Sequence, residues 1–218
     1  MRAPIPADAY RGFHDLAARY VEGTDYAVHV SAPTPSRVAI IAPHGGRIEG
    51  GTSSVARLIA GAEHGLYLFE GLRTSGDNFD RLHLTSRCFD EPRCLALIGE
   101  CDSVVAVHGY AAAGPDVLLG GLDESLKATL LSGLAARGVS AQADGHRFPG
   151  RDVRNVCNRG RSGRGVQLEL SARLRRSRDY DGLVDAVRAA LGSIVSCGAL
   201  VGRGGSRVAA RSCPEEVS

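Results

Sequence analysis

The sequence predicts an α/β fold, a sheet flanked by helices. Strand-like and helix-like segments alternate along the chain, and Ser103–His108 is a Val-rich run of the kind buried on both faces of a parallel strand. The length of 218 residues, with 44% hydrophobic and 23% charged residues, suits one globular domain with a sizeable core.

Each element has a local reason. A first amphipathic helix is expected over Asp8 to Val21, with Phe13, Leu16 and Tyr20 on one face and Gly23 as its stop. Strand-like runs follow at Tyr26–Val30 and Arg37–Ala42, separated by a Pro/Ser loop. Thr52 to Ala60 reads as a helix with Val55, Leu58 and Ile59 inward, and Leu66–Glu70 and Arg81–Thr85 read as strands. Glu91 to Ile98 is a short helix with Pro92 in its first turn. After the strand at Ser103–His108 comes another at Val117–Leu119. The helix from Asp123 to Arg137 carries Leu126, Leu130 and Leu134 four apart and closes at Gly138. Gly165–Leu170 is a strand, and Asp181–Leu191 is the last helix. From Ser196 onward Gly, Arg and Ser dominate, so the expected division is a catalytic-type domain over 1–195 and a disordered tail over 196–218.

Composition excludes several classes. The longest apolar stretch, Leu191 to Val201, is about half of what a bilayer requires. The first twenty residues contain no apolar signal core, so a cytoplasmic location is expected. Six cysteines without a C-x-x-C pair read as reduced thiols, not as a disulfide framework or a zinc-thiolate site. A net charge of +2, no Trp and 5% aromatic residues argue against nucleic acid as a partner. Of the 26 basic residues all but Lys127 are arginines, which form the better fork for carboxylates.

Three strands end in chemically loaded residues, where open α/β sheets place their ligands. The first runs Val-Ala-Ile-Ile-Ala-Pro into His44-Gly-Gly-Arg-Ile-Glu49, the second ends at His108-Gly, and the third contains Gln167 and Glu169. The Gly45-to-Thr52 phrase mimics a phosphate-binding loop, but Gly51 stands where that loop needs its lysine. A hydrolytic zinc takes three side-chain ligands and one open position, and His44, Glu49 and His108 are the natural set for it. A structural role for two strand-end histidines stands beside that reading at even weight. Glu169 shares a strand face with Gln167 in an apolar strand, so it is either a general base or one half of an arginine ion pair. The loop from Asn158-Arg159 to Arg164 either clamps a carboxylate or is a solvated basic loop. No G-x-S-x-G elbow supports a serine hydrolase.

The stretches IAPHGGRIEGGTSSVARLIAG, YLFEGL, LHLTSRCFDEP, VVAVHGY, LLGGLDESL and NVCNRGRSGRGVQLELS, in this order, resemble the poly-gamma-glutamate hydrolase family known from bacteriophages and bacterial genomes. The resemblance implies an open, mixed, mostly parallel sheet flanked by helices, similar to that of zinc carboxypeptidases, and zinc-dependent cleavage of γ-linked glutamyl polymers. It implies one zinc ion on His44, Glu49 and His108, with Glu169 as general base and Asn158 and Arg159 holding a substrate carboxylate. The carboxypeptidases place two residues between the first His and Glu; here there are four. The implied partner is an anionic γ-glutamyl polymer or peptide, not a nucleic acid or a membrane, and a phage enzyme would be released by lysis. Two alternatives to the polymer hydrolase are a zinc amidase acting on peptidoglycan stem peptides or N-acyl glutamates, and a non-catalytic domain that binds a polyanion.

Overall fold

The computed structural model describes residues 10–33 and 37–201, with side chains as far as residue 192. Seven strands form one sheet: β1 (Tyr26–Ser31), β2 (Val38–Gly46), β3 (Gly65–Gly71), β4 (Ser103–Tyr110), β5 (Val117–Gly121), β6 (Ala141–Gln142) and β7 (Val166–Ser171). Their order across the sheet is β1-β3-β2-β4-β7-β5-β6. The central four, β3-β2-β4-β7, are mutually parallel. β1 runs antiparallel to β3, β5 antiparallel to β7, and β6 parallel to β5, which makes the sheet mixed, as expected.

The helices are α1 (Phe13–Ala17), α2 (Thr52–Ala60), α3 (Asn78–Leu82), α4 (Pro92–Gly99), α5 (Glu124–Ala135), α6 (Ala172–Ser177) and α7 (Asp181–Val201). Alternation along each strand separates two cores. Val38, Ile40, Val105, Val107, Leu168 and Leu170 pack on one face against Val55 and Ile59 of α2, Leu130 of α5 and Val187 of α7. Ala39, Ile41, Tyr67, Phe69, Val104 and Ala106 pack on the other against Leu16, Phe89 and Ile98. Gln167 and Glu169 alternate with the first core's residues on β7, so they face the second layer, near the carboxyl ends of the parallel strands.

The sequence reading is amended at four places. α1 is shorter than expected, and Asp8, its expected start, lies outside the described residues. The stretch expected as a strand over 81–85 is the end of α3 followed by non-sheet chain, because an Arg81–Asp77 ion pair spans one helical turn. Leu82 and Leu84 are both fully buried, and their two-residue spacing imitates a strand. Leu58 is half exposed, because α2 buries Val55, Ala56, Ile59 and Ala60 instead. α7 continues to Val201, so the first six positions of the expected tail are helical and the remainder lies outside the described residues. α5 closes as predicted, with Gly138 at φ 71° and Val139 N–H donating to Leu134 O.

Candidate metal and hydrolytic site

A cavity of about 620 Å³ opens at the carboxyl ends of β2, β4 and β7 and is lined by His44, Glu49, His83, His108 and Glu169. Its first wall is the β2–α2 turn. The β2–β3 register breaks between Ala42 and Gly45, which re-aims His44 out of the strand's alternation. Gly46 sits at φ 61° with the Gly71 backbone so close that a Cβ would collide, so only glycine fits there. The turn then folds back: Glu49 N–H donates to His44 O at 2.9 Å and Thr52 Oγ1 donates to Glu49 O at 2.9 Å. These bonds bring Glu49 beside His44 despite the four residues between them.

Three imidazoles surround the Glu49 carboxylate. His44 Nδ1 is 3.3 Å from Oε1, His83 Nε2 is 3.7 Å from Oε1, and His108 Nδ1 is 3.9 Å from Oε2. Gly109 N–H donates to Oε2 at 2.7 Å. His44 and His108 face each other with their Nδ1 atoms 3.1 Å apart. His44 Nε2 lies 2.8 Å from Leu84 O, a carbonyl that can only accept, so this nitrogen carries the hydrogen. In the neutral ring Nδ1 is then a bare lone pair turned toward a carboxylate oxygen and a second imidazole nitrogen. These atoms, the His44 lone pair and the Glu49 carboxylate first among them, are of the kind that ligate a cation, so the donor set fits a metal ion. Ligand atoms of His44, Glu49 and His83 lie within 4.8 Å of one another.

Electrostatics keep two of the rings, His83 and His108, neutral. Burial, reinforced by His44 and His108 against the opposing pull of Glu49, pushes His83 down to about 3. Burial and then His44 push His108 well below the usual histidine range. The two differ in their outer contacts. His108 Nε2 is 3.4 Å from Ser86 Oγ, whereas the buried Nδ1 of His83 has no hydrogen-bond partner among the described residues. The His83 ring packs, tilted by 32° to each, against Phe79 and His44, with centroids 4.5 and 4.0 Å away.

Glu169 is the register partner of His108 across the parallel β4–β7 pair. Gln167 Nε2 donates to Glu169 Oε1 at 3.3 Å and to Phe148 O at 3.1 Å, while Asn155 Nδ2 donates to Gln167 Oε1 at 2.8 Å. Among the described residues Glu169 makes no ion pair, so the arginine partner that one sequence reading allowed is not there. Burial, then the Glu49 charge, push Glu169 up to about 8, with Arg175 and Arg147 opposing.

Asn158 and Arg159 are not brought to this cavity. The Asn158 amide is spent: Nδ2 donates to Gly150 O and Asp152 O at 2.8 and 3.0 Å, and Oδ1 accepts from Leu122 N–H at 3.1 Å. Arg159 Nη1 donates to Phe89 O at 3.2 Å. Neither residue lines the cavity as the substrate clamp expected of this pair would: Asn158 braces the 150–152 loop, and the arginines on the cavity are Arg147 and Arg175. Arg175 joins three strand-end segments, donating to Gly50 O (2.8 Å), Tyr110 O (3.1 Å) and Leu170 O (3.2 Å). Sequence reasoning missed His83, Arg147 and Arg175. His83 had a usable signal, since it lies inside the LHLTSRC stretch.

The Poly-gamma-glutamate hydrolase family matches residues 10–181. Two Bacillus subtilis (strain 168) proteins are similar. The SPbeta prophage-derived protein YoqZ is 38% identical over 79% of this chain and 62% of its own length; YndL is 39% identical over 78% and 66%. The chain thus spans roughly two thirds of these relatives' length. Among solved structures, a bacteriophage poly-gamma-glutamate hydrolase superposes with a TM-score of 0.81 at 30% identity, covering 87% of this chain and 99% of that one. A zinc-free apo form of YndL superposes with a TM-score of 0.77 at 33% identity, covering 85% and 98%.

Proposed function

The chain belongs to the poly-gamma-glutamate hydrolase family, and we propose that it is a zinc-dependent hydrolase cleaving the γ-glutamyl amide bonds of poly-γ-glutamate. The observation that carries this reading is the pairing, in one cavity, of a His/Glu donor set with Glu169, a carboxyl group that makes no ion pair among the described residues. A zinc-free form of the relative YndL adds support for the choice of metal.

His44, Glu49 and His108 hold a single zinc ion. His44 and His108 each have one ring nitrogen on an outer partner, Leu84 O and Ser86 Oγ, and aim Nδ1 at the Glu49 side. Such outer partners are the usual companions of metal-bound histidines. His83 approaches through Nε2 but leaves Nδ1 without a partner, which makes it the poorer third ligand. When bound, zinc lowers the pKa of water toward about 7 and polarises the scissile carbonyl. Glu169, fixed by Gln167, takes the proton of the attacking water and passes it to the leaving amine. Positive charge held near this cavity turns Glu169 to its ionised form, because its proton is retained by burial and by the Glu49 charge.

The substrate class follows from Arg147 and Arg175 on the cavity: every unit of a γ-linked glutamyl chain carries a free α-carboxylate, and cationic walls draw in such a polyanion. No helix of the described residues is long and apolar enough to cross a membrane. The reading is tested by counting amino groups released from poly-γ-glutamate and from α-linked polyglutamate, with zinc-loaded and chelator-treated protein. Release from the γ-linked polymer alone, abolished by the chelator, is expected. Equal release from both polymers overturns the γ-glutamyl assignment, and release that survives the chelator overturns the metal.

A further inference from the structure

A second cavity of about 310 Å³ adjoins the first, and the two share Tyr110, Arg147 and Phe148 as a common wall. Its remaining lining is largely apolar, with Ala113, Pro115 and Leu118 prominent. The wall is built rigidly. Phe148 N–H donates to His146 Nδ1 at 3.2 Å, which leaves His146 Nε2 to donate to Leu119 O at 3.0 Å. Phe148 O accepts from Gln167 at 3.1 Å, Pro149 O from Gly121 N–H at 2.9 Å, and Gly150 O from Asn158 at 2.8 Å. Between these anchors the Arg147 side chain is exposed, with its guanidinium carbon 4.8 Å from the centre of the Phe148 ring. Among the described residues it forms no ion pair and donates no hydrogen bond. Arg175, by contrast, has spent donors on three carbonyls.

An exposed guanidinium lying over an aromatic ring, with its donors unspent among the described residues, is prepared for bidentate binding of a carboxylate. We propose that the smaller cavity is a binding subsite for a glutamyl unit flanking the scissile bond, with that unit's α-carboxylate on Arg147 and its two methylenes against Phe148 and Leu118. The proposal rests on the hydrolase reading above. It makes Arg147 the residue that distinguishes a free α-carboxylate from a neutral group at the same position.

The test uses zinc-loaded Glu169→Gln protein, whose binding is read by calorimetry without turnover, and tetra-γ-glutamate as free acid and as α-methyl ester. The free acid is expected to bind about tenfold more tightly than the ester. Adding Arg147→Ala reduces that preference to less than about threefold. Ala113→Trp, which fills the cavity from its rim and keeps the charge, weakens binding of both ligands. Arg176→Ala removes an equal charge outside both cavities and leaves the preference intact. An acid-over-ester preference that survives Arg147→Ala, or that falls equally with Arg176→Ala, overturns the subsite. Tight binding that responds to Arg147, with no cleavage by zinc-loaded wild type, overturns the hydrolase reading and leaves the subsite standing.

Discussion

His44 Nδ1 lies 3.3 Å from Glu49 Oε1, a lone pair turned toward a carboxylate inside a buried turn. That contact is favourable only with a positive charge between or beside the two atoms. Zinc binding is therefore expected at one ion per chain, and His44→Ala or His108→Ala should weaken it by about 100-fold or more. His83→Ala should cost less than about tenfold, because the His83 ring lacks an outer partner to orient it as a ligand. Titration with a zinc-sensitive dye in competition checks this. Loss of zinc in His83→Ala with retention in His108→Ala contradicts the assignment.

Glu169→Gln keeps the shape of the side chain and its neighbour Gln167 but removes the proton acceptor. The variant should fold and bind zinc as wild type does, while kcat falls by about 10² to 10⁴. Metal content and turnover measured on one preparation separate this outcome from loss of the metal.

The raised Glu169 carboxyl also sets a pH dependence for the zinc-free protein. Its folded pKa is about 8, above the ordinary 4.5, so the folded state binds the extra proton. Its contribution to stability is fully present below pH 4.5 and is lost as the pH rises through 8. The chelated wild type should lose on the order of 5 kcal/mol relative to Glu169→Gln across that window. His83 works in the opposite sense at lower pH: its folded pKa of about 3 costs stability as pH falls from 6.5 toward 3. Urea unfolding at half-unit pH steps, compared between the two proteins, isolates the Glu169 part. A constant difference between them contradicts it.

Arg175 ties together the segments that follow Glu49, His108 and Glu169 through Gly50 O, Tyr110 O and Leu170 O. Arg175→Met removes all three donors and should destabilise the fold by about 2 to 4 kcal/mol. Arg175→Lys should recover only part of this, because one ammonium cannot reproduce the planar fork. Denaturant midpoints of the three proteins decide the point.

The fold was readable where one kind of periodicity dominated. The Val-rich β4 and the four-residue leucine spacing of α5 needed no tertiary information. The chain over 78–85 misled because Leu82 and Leu84 reach the core by different means, one from the end of a helix and one from extended chain. The strand-end residues His44, Glu49, His108 and Glu169 converge because parallel strands bring their carboxyl ends to one edge, a topological rule that sequence alone invokes. His83, Arg147 and Arg175 reach the same cavity from the residue after a short helix, from a long loop and from the short helix α6, where no rule of spacing predicts the destination. Asn158 lies away from the cavity lining for a related reason: only the fold reveals that loop carbonyls take up its amide.

The most direct test is the chain length of purified poly-γ-glutamate after incubation with zinc-loaded wild type, zinc-loaded Glu169→Gln and chelated wild type. Shortening by the first alone is the predicted result. A polymer left intact by the zinc-loaded wild type, or shortened equally by Glu169→Gln, contradicts the account.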